Sequence, residues 1–79
     1  MDEQARKVLE ARLNEFIADA KKIQQNIEEA MELVAQDKPQ SACSVVSLCA
    51  YPLHHLQNDW DGVMEEFENR GISPGKFDD

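Results

Sequence analysis

The amino-acid sequence predicts an all-α fold: an antiparallel helical hairpin, with its second helix kinked at Pro52, that dimerises into a four-helix bundle. Four of the six glycines and prolines stand in two short segments, 36–41 and 70–79, which mark a turn and an end. Elsewhere, apolar residues recur alternately four and three residues apart, the spacing of helices that pack along one side. At 79 residues the chain is a single domain of marginal core size, for which self-association is a common remedy.

The first helix is predicted to span about residues 2–36. Its apolar residues keep the four-three spacing over nearly four repeats, and this row is called the seam below. The seam of the first helix consists of Leu9, Leu13, Phe16, Ala20, Ile23, Ile27, Ala30 and Val34. Asp37 and Pro39 then predict a turn.

The second helix is predicted to span about residues 41–70, with Ser41 as its N-terminal cap. Gly71 is placed to end this helix in a left-handed conformation. The hairpin domain is therefore assigned to residues 1–72, and a flexible acidic tail to residues 73–79. The seam of the second helix consists of Ala42, Val46, Cys49, Leu53, Leu56, Trp60, Val63 and Phe67.

Pro52 interrupts this second helix, but the four-three spacing crosses it without losing phase, from Cys49 to Leu53. An unbroken phase favours one kinked helix, because two independent helices have no reason to share it. A kink costs about 3 kcal/mol in a straight helix interior, which packing must offset. The alternative is a short helix over 41–50 and a separate one from residue 52 or 53, since proline is also common in a first turn.

A short connection makes the two helices antiparallel neighbours. Pairing residues whose numbers sum to 76 then gives every seam residue an apolar partner in eight layers, among them a Phe16–Trp60 ring pair. In the same register the basic Arg6, Lys7 and Arg12 lie beside the acidic end of the second helix. Layer matching and opposite charge thus support one register.

The two flanks of the seam differ. One flank is charged, with Arg12, Asp19, Asp59 and Glu66. The other flank is largely apolar, and a second copy packing there would complete a four-helix bundle. This predicted dimer interface consists of Ile17, Gln24, Met31, Cys43, Ala50, Gln57 and Met64.

Charge and composition disfavour several classes of function. The net charge of −8 opposes direct binding to nucleic-acid phosphates. No run of 18 apolar residues and no charged-then-apolar leader occurs, so neither membrane insertion nor export is expected, and a cytoplasmic location with reduced thiols is predicted.

No metal, cofactor or catalytic residue is predicted, and the chain is not expected to be an enzyme. Cys43 and Cys49 are six residues apart, whereas ligands on one helix recur at three or four. His54 and His55 are adjacent and point about 100° apart around a helix. A hydrophobic two-helix seam also lacks the convergent polar groups of an active site.

His55, four residues before Asp59, leaves one enzymatic alternative open. A surface histidine on a helical bundle resembles, in architecture, the histidine phosphotransfer domains. That family has Lys-Gly after its histidine, and "HHLQND" stands here instead. The ordinary interpretation is a solvated histidine in a weak helix ion pair.

The leading hypothesis is a small acidic protein-interaction module, a regulator, inhibitor or adaptor that acts on another protein as a homodimer. In shape it resembles homodimeric helical hairpins such as the plasmid copy-number regulator Rop, although that protein binds RNA. Leu48, Tyr51 and His55 share an outward face near the kink and form one candidate partner site. The acidic segment 59–68, with Asp61, Glu65 and Glu68, suggests the alternative of a nucleic-acid-mimicking inhibitor.

Overall fold

The computed structural model describes residues 2–75, and within them every regular element is a helix. The three helices are α1 (Glu3–Ala35), α2 (Pro39–Leu48) and α3 (Ala50–Asn69). Helix α1 packs against both α2 and α3, which together form the returning arm of a hairpin. The all-α prediction is confirmed. The predicted flexible tail falls partly on residues 76–79, which lie outside the described residues.

Helix α1 is capped at both ends by short-range bonds. The Asp2 side chain accepts a hydrogen bond from the Ala5 amide at 2.7 Å, which satisfies one unpaired donor of the first turn. At the other end Asp37 adopts a left-handed conformation (φ 59°), and the amides of Asp37 and Lys38 donate to the carbonyls of Val34 and Leu33. This C-terminal motif turns the chain back on itself.

Helix α2 begins earlier than predicted. Pro39, not a residue after Ser41, takes the first helical position, where its missing amide proton and fixed φ are harmless. Lys38 is the N-cap and provides no side-chain hydrogen bond. The predicted Ser41 cap is therefore wrong, because the proline had already started the helix.

The returning arm bends at Cys49, between α2 and α3. Cys49 itself keeps near-helical torsions (φ −65°, ψ −13°), and the Leu53 amide still donates to its carbonyl at 2.9 Å. Pro52 causes the break, because its ring crowds the carbonyl four residues earlier and supplies no N–H to it. The predicted bend is confirmed, and it involves one residue rather than a loop.

Helix α3 ends as predicted. Gly71 is left-handed (φ 73°), and the amides of Gly71 and Ile72 donate to the carbonyls of Glu68 and Phe67, both at 2.9 Å. These two bonds satisfy carbonyls of the last turn that would otherwise lack a partner.

The helices meet along a different line from the predicted seam. In seven of the eight layers an exposed residue stands opposite a buried or half-buried one, as in the layer of buried Val63 and exposed Leu13. The buried apolar residues are Ala5, Leu9, Ala30, Ala42, Cys49 and Val63. The large seam residues left 40–63% exposed are Leu13, Ile27, Val34, Val46, Leu53 and Trp60.

Residues of the charged flank lie between the arms where the prediction had placed those exposed residues. Both arms of the hairpin are rotated so that this flank turns partly inward. The half-buried residues on this side are Asp19, Asn26, Leu33, Val45, Pro52, Asp59 and Glu66. The hairpin thus buries one half of its seam and the neighbouring charged flank.

The predicted Phe16–Trp60 ring pair is not formed. Among residues 2–75 the one pair of neighbouring rings is His54 with His55, with centroids 6.3 Å apart. Phe16 and Trp60 instead line one shallow groove together with Leu53 and Leu56.

Asp37→Gly is predicted to stabilise the hairpin by roughly 0.5–1 kcal/mol, because a side chain in the left-handed region is strained and glycine is not. Thermal unfolding followed by circular dichroism should show a rise in melting temperature of a few degrees. The matched control is Gly71→Ala, which introduces the same strain at the other left-handed site and should lower the melting temperature. Equal melting temperatures for Asp37→Gly and the wild type would contradict the strain at Asp37.

Candidate interaction surface

The most prominent feature of the surface is an apolar face that runs along both arms of the hairpin. It combines the exposed half of the seam with the apolar flank beside it. On α1 it comprises Leu13, Ile17, Ala20, Gln24, Ile27, Met31 and Val34. On α2 and α3 it comprises Cys43, Val46, Ala50, Leu53, Gln57, Trp60 and Met64, of which all but the half-buried Met64 are exposed.

Two grooves show that the face is shared between the arms. Near the connection, Ile27, Met31 and Val34 of α1 line an open groove of about 640 Å³ with Cys43 and Val46 of α2, and this is called the loop-end groove. Small side chains, among them Ala30, Ala35 and Ala42, line the rest of it. Further along, Phe16 of α1 and Trp60 of α3 line the second groove. Residues of both arms therefore form one surface.

No residue of the apolar face carries a charge. Its two glutamines are bonded along their own helices: Gln24 Nε2 donates to Glu28 at 2.9 Å, and Gln57 Nε2 donates to Asp61 at 3.3 Å. These bonds draw both amides toward carboxylates outside the face. The face is thus apolar along its length, with acidic residues beside it.

The residues of the predicted dimer interface all lie on this face. The sequence prediction missed that half of the seam belongs to it as well, including Leu13, Ile27 and Trp60. The signal was present, because apolar residues occupy both the seam and one flank. A stripe of that width exceeds what one neighbouring helix can cover.

The opposite edge of the hairpin, where the charged flank turns inward, is held by an ion-pair network. Arg12 Nε lies 3.3 Å from Glu66, and Arg70 lies 3.4 Å from the same carboxylate. Gly62 leaves room for this arrangement, since a Cβ there would come within 3.0 Å of the Arg12 guanidinium. The predicted attraction between the basic start of α1 and the acidic end of α3 is thus formed by Arg12, whereas Arg6 pairs with Glu3 and Glu10 of its own helix.

Asp19 and Asp59 face each other on this edge, across the hairpin. A hydrogen bond between the two carboxyl groups, which requires a shared proton, raises the pKa of Asp59, and loss of solvent and the charges of Asp19 and Glu15 add to the rise. The positive charge of His55 acts in the other direction. Asp59 Oδ2 is buried with no hydrogen-bond partner. Two ionised carboxylates at this position would repel each other and oppose the packing around them.

The candidate site near the bend is exposed. Tyr51 is 74% and Leu48 60% exposed, and His55 lies at the surface one turn further on. The three residues are spaced three and four apart and share one side of the returning arm. That side is the outer one, away from the apolar face.

The candidate acidic site consists of Asp61, Glu65 and Glu68, all exposed. Within residues 2–75 no basic side chain pairs with any of them. Their spacing of four and three places them on one side of α3, roughly 100° around the arm from Tyr51. The structure does not bring the two candidate partner sites together.

Among residues 2–75 no group of three His, Cys, Asp or Glu side chains is placed to hold a metal ion. Cys49 is buried between the arms, where its thiol donates to the Val45 carbonyl at 3.8 Å, and Cys43 is exposed on the apolar face.

Within the part of the chain that the structure describes, no helix combines the length and apolar character needed to cross a bilayer.

Comparisons of the chain with protein-family models, with curated proteins and with solved structures found no match. The fold and the surface define a small all-α hairpin with one uncharged apolar face and an acidic remainder.

Asp59→Asn is predicted to raise the melting temperature at pH 7, because it removes one of two facing carboxylates. The folded-state pKa of Asp59 lies above its unfolded value of 3.8, so the folded protein holds that proton more tightly. The free energy of unfolding of the wild type therefore rises as the pH falls through the folded-state pKa of Asp59. The rise is complete below the unfolded-state pKa. The advantage of the variant should shrink over that same window.

Asp61→Asn is the matched control, since Asp61 is exposed and lies two residues after Asp59, on the other side of α3. Melting curves between pH 4 and pH 7 compare the three proteins. An Asp59→Asn advantage that does not depend on pH would contradict the carboxyl pair.

Proposed function

We propose that this chain is a non-enzymatic protein-interaction module that acts as a homodimer, in which two hairpins form a four-helix bundle. In this proposal it serves as a regulator, inhibitor or adaptor of another protein, in the cytoplasm. The observation that carries the proposal is the uncharged apolar face that extends along both arms.

The size of the face supports a protein partner. The hairpin measures 52 × 27 × 17 Å, and the face runs along its longest dimension across both arms. A stable protein interface needs about 800 Å² from each partner, which such a face can provide. The largest apolar patch on a monomeric protein is typically only about 300–600 Å².

A second copy suits this face better than an unrelated surface. In a four-helix bundle each helix packs against two neighbours, so its apolar stripe points between them. In each arm, one side of the apolar stripe packs against the other arm, and the second side remains exposed. Although each chain carries a charge of −8, the charges lie off the face, so that two copies can approach along it.

A non-enzymatic role is supported by the character of the grooves. The loop-end groove is lined entirely by Ala, Val, Ile, Met, Pro and Cys side chains. Catalytic sites instead combine an apolar pocket with convergent polar groups. The groove suits the packing of a side chain from another helix.

Another protein would bind the outer surface, which the dimer leaves free. Tyr51 and Leu48 form its exposed apolar part, and in the proposal His55 joins them. Aromatic side chains are frequent anchors in such sites.

The row of Asp61, Glu65 and Glu68 supports a second candidate, a nucleic-acid-mimicking inhibitor. Within residues 2–75 these carboxylates face solvent without a basic partner. Binding through this row should weaken steeply as salt rises, whereas binding through Leu48 and Tyr51 should not.

Ile17→Glu and Ala50→Glu, each tested alone, are predicted to separate the dimer. Each would bury an unpaired carboxylate at the interface between copies, which is costly enough to favour separate chains. Sedimentation equilibrium at tens of micromolar should give twice the 9.0 kDa chain mass for the wild type and single-chain mass for both variants.

The matched control is Ala18→Glu, which places the same charge on the neighbouring residue, outside the apolar face, and should remain dimeric. Asp19→Lys, on the charged flank, should also remain dimeric. A wild type that is folded and monomeric at tens of micromolar would contradict the homodimer.

A further inference from the structure

The apolar face changes in character along its length. At the loop end it is concave, because the small, buried side chains of Ala30 and Ala42 line the groove between α1 and α2. Toward the open end of the hairpin the side chains are larger, and Trp60, the single tryptophan, stands 50% exposed on the face. One end thus offers a groove and the other a large aromatic side chain.

We propose that the two hairpins pack with their loops at opposite ends, so that Trp60 of each copy enters the loop-end groove of the other. This inference rests on the proposed homodimer and specifies its geometry and its anchor. An aromatic side chain in a central, desolvated groove is the usual form of an interface hot spot.

The positions along the arms agree with this arrangement. A two-fold axis across the middle of the face passes near Gln24 on α1 and Leu53 on the returning arm. Trp60 and Val46 each lie seven residues from Leu53, so the axis brings Trp60 of one copy to the level of Val46 of the other. Val46 lines the loop-end groove. On α1, Ile17 and Met31 are related in the same way about Gln24.

The distribution of charge favours the same orientation. Residues 39–58 of the returning arm contain no Asp, Glu, Lys or Arg, whereas residues 59–70 contain five carboxylates and one arginine. Hairpins with their loops at opposite ends place each acidic segment beside an uncharged one. Hairpins with their loops at the same end would bring the two acidic segments to the same end of the bundle, where like charges repel.

Packing also disfavours loops at the same end. A two-fold axis along the bundle keeps each residue at its own level, so one loop-end groove would face the other. Two concave surfaces would then meet, which leaves a void that costs dispersion contacts. Trp60 would meet the already bulky open end of the second copy.

The test is a disulfide between α1 helices, in the full chain with Ile17→Cys, Met31→Cys and Cys43→Ser. Within one chain residues 17 and 31 are 14 residues apart, about 21 Å along the helix, too far for a disulfide. Between copies with opposite loops they come to the same level. Mild oxidation should therefore give a covalent dimer on a non-reducing gel. The matched control, Ala18→Cys with Glu32→Cys in the same background, has the same spacing on the outer side of α1 and should stay uncrosslinked.

Two further readouts complete the experiment. Spin labels on the native Cys43, in a Cys49→Ala background, should be about 30 Å apart, because each lies ten residues from the axis. Trp60→Ala should raise the dimer dissociation constant at least tenfold, whereas Tyr51→Ala, outside the face, should leave it unchanged.

A dimer with the linked 17–31 pair and the long Cys43 distance supports the proposal. A dimer with the pair unlinked and the Cys43 labels within about 15 Å, the width of neighbouring helices, overturns the opposite-end arrangement but leaves the homodimer intact. An unchanged dissociation constant for Trp60→Ala overturns the anchor. A monomeric wild type overturns the homodimer itself, so the two failures are distinguishable.

Discussion

Each arm of a hairpin can turn only one side toward the other, and in this chain that side is not the most apolar one. The arms bury Leu9, Cys49 and Val63, together with half-buried polar residues of the charged flank. The opposite half of the seam stays in contact with water, although its burial would be worth about 25 cal/mol for each Å². A lone hairpin has no evident reason to expose those side chains, whereas a four-helix bundle requires it, because the stripe of each helix must serve two neighbours.

The inward turn of the charged flank has opposite consequences along its length. At the open end, Arg12 reaches Glu66 across the arms and the ions compensate one another. In the middle, Asp19 and Asp59 meet with like charge, and the pKa of Asp59 rises because the pair shares a proton more readily than it tolerates two charges. Near the bend, Pro52 and Val45 lie on the same flank and are half-buried. The edge that closes the hairpin therefore joins opposite charges at its open end and like charges at its centre.

Much of the fold can be predicted from the sequence, because it depends on residues that are close together in the chain. Helix bounds, the bend and the Gly71 end follow from spacing, proline and glycine, and the connection between arms is short enough to impose an antiparallel pair. The start at Pro39 was missed because the serine hydroxyl of Ser41 is a stronger helix-capping group than any side chain just before Pro39. Pro39 has no backbone N–H, so its position in the first turn leaves no donor there to be capped. The rotation of the arms could not be predicted, since a four-three pattern is equally compatible with one neighbour or two. The same ambiguity limited the candidate site: the apolar flank was found, but Leu13, Ile27 and Trp60 were assigned to the core.

The central claim is that the apolar face is covered in solution, and Trp60 reports on it directly as the single tryptophan of the chain. In a separate hairpin its ring is half exposed, and its fluorescence would resemble that of an indole in water. Covered by a second copy, the ring leaves water and its emission moves to shorter wavelength. The account predicts a short-wavelength emission maximum for the folded protein at tens of micromolar, with a return toward the water-exposed value as dilution separates the chains. A folded protein whose Trp60 emission stays at the water-exposed value at every concentration would contradict it.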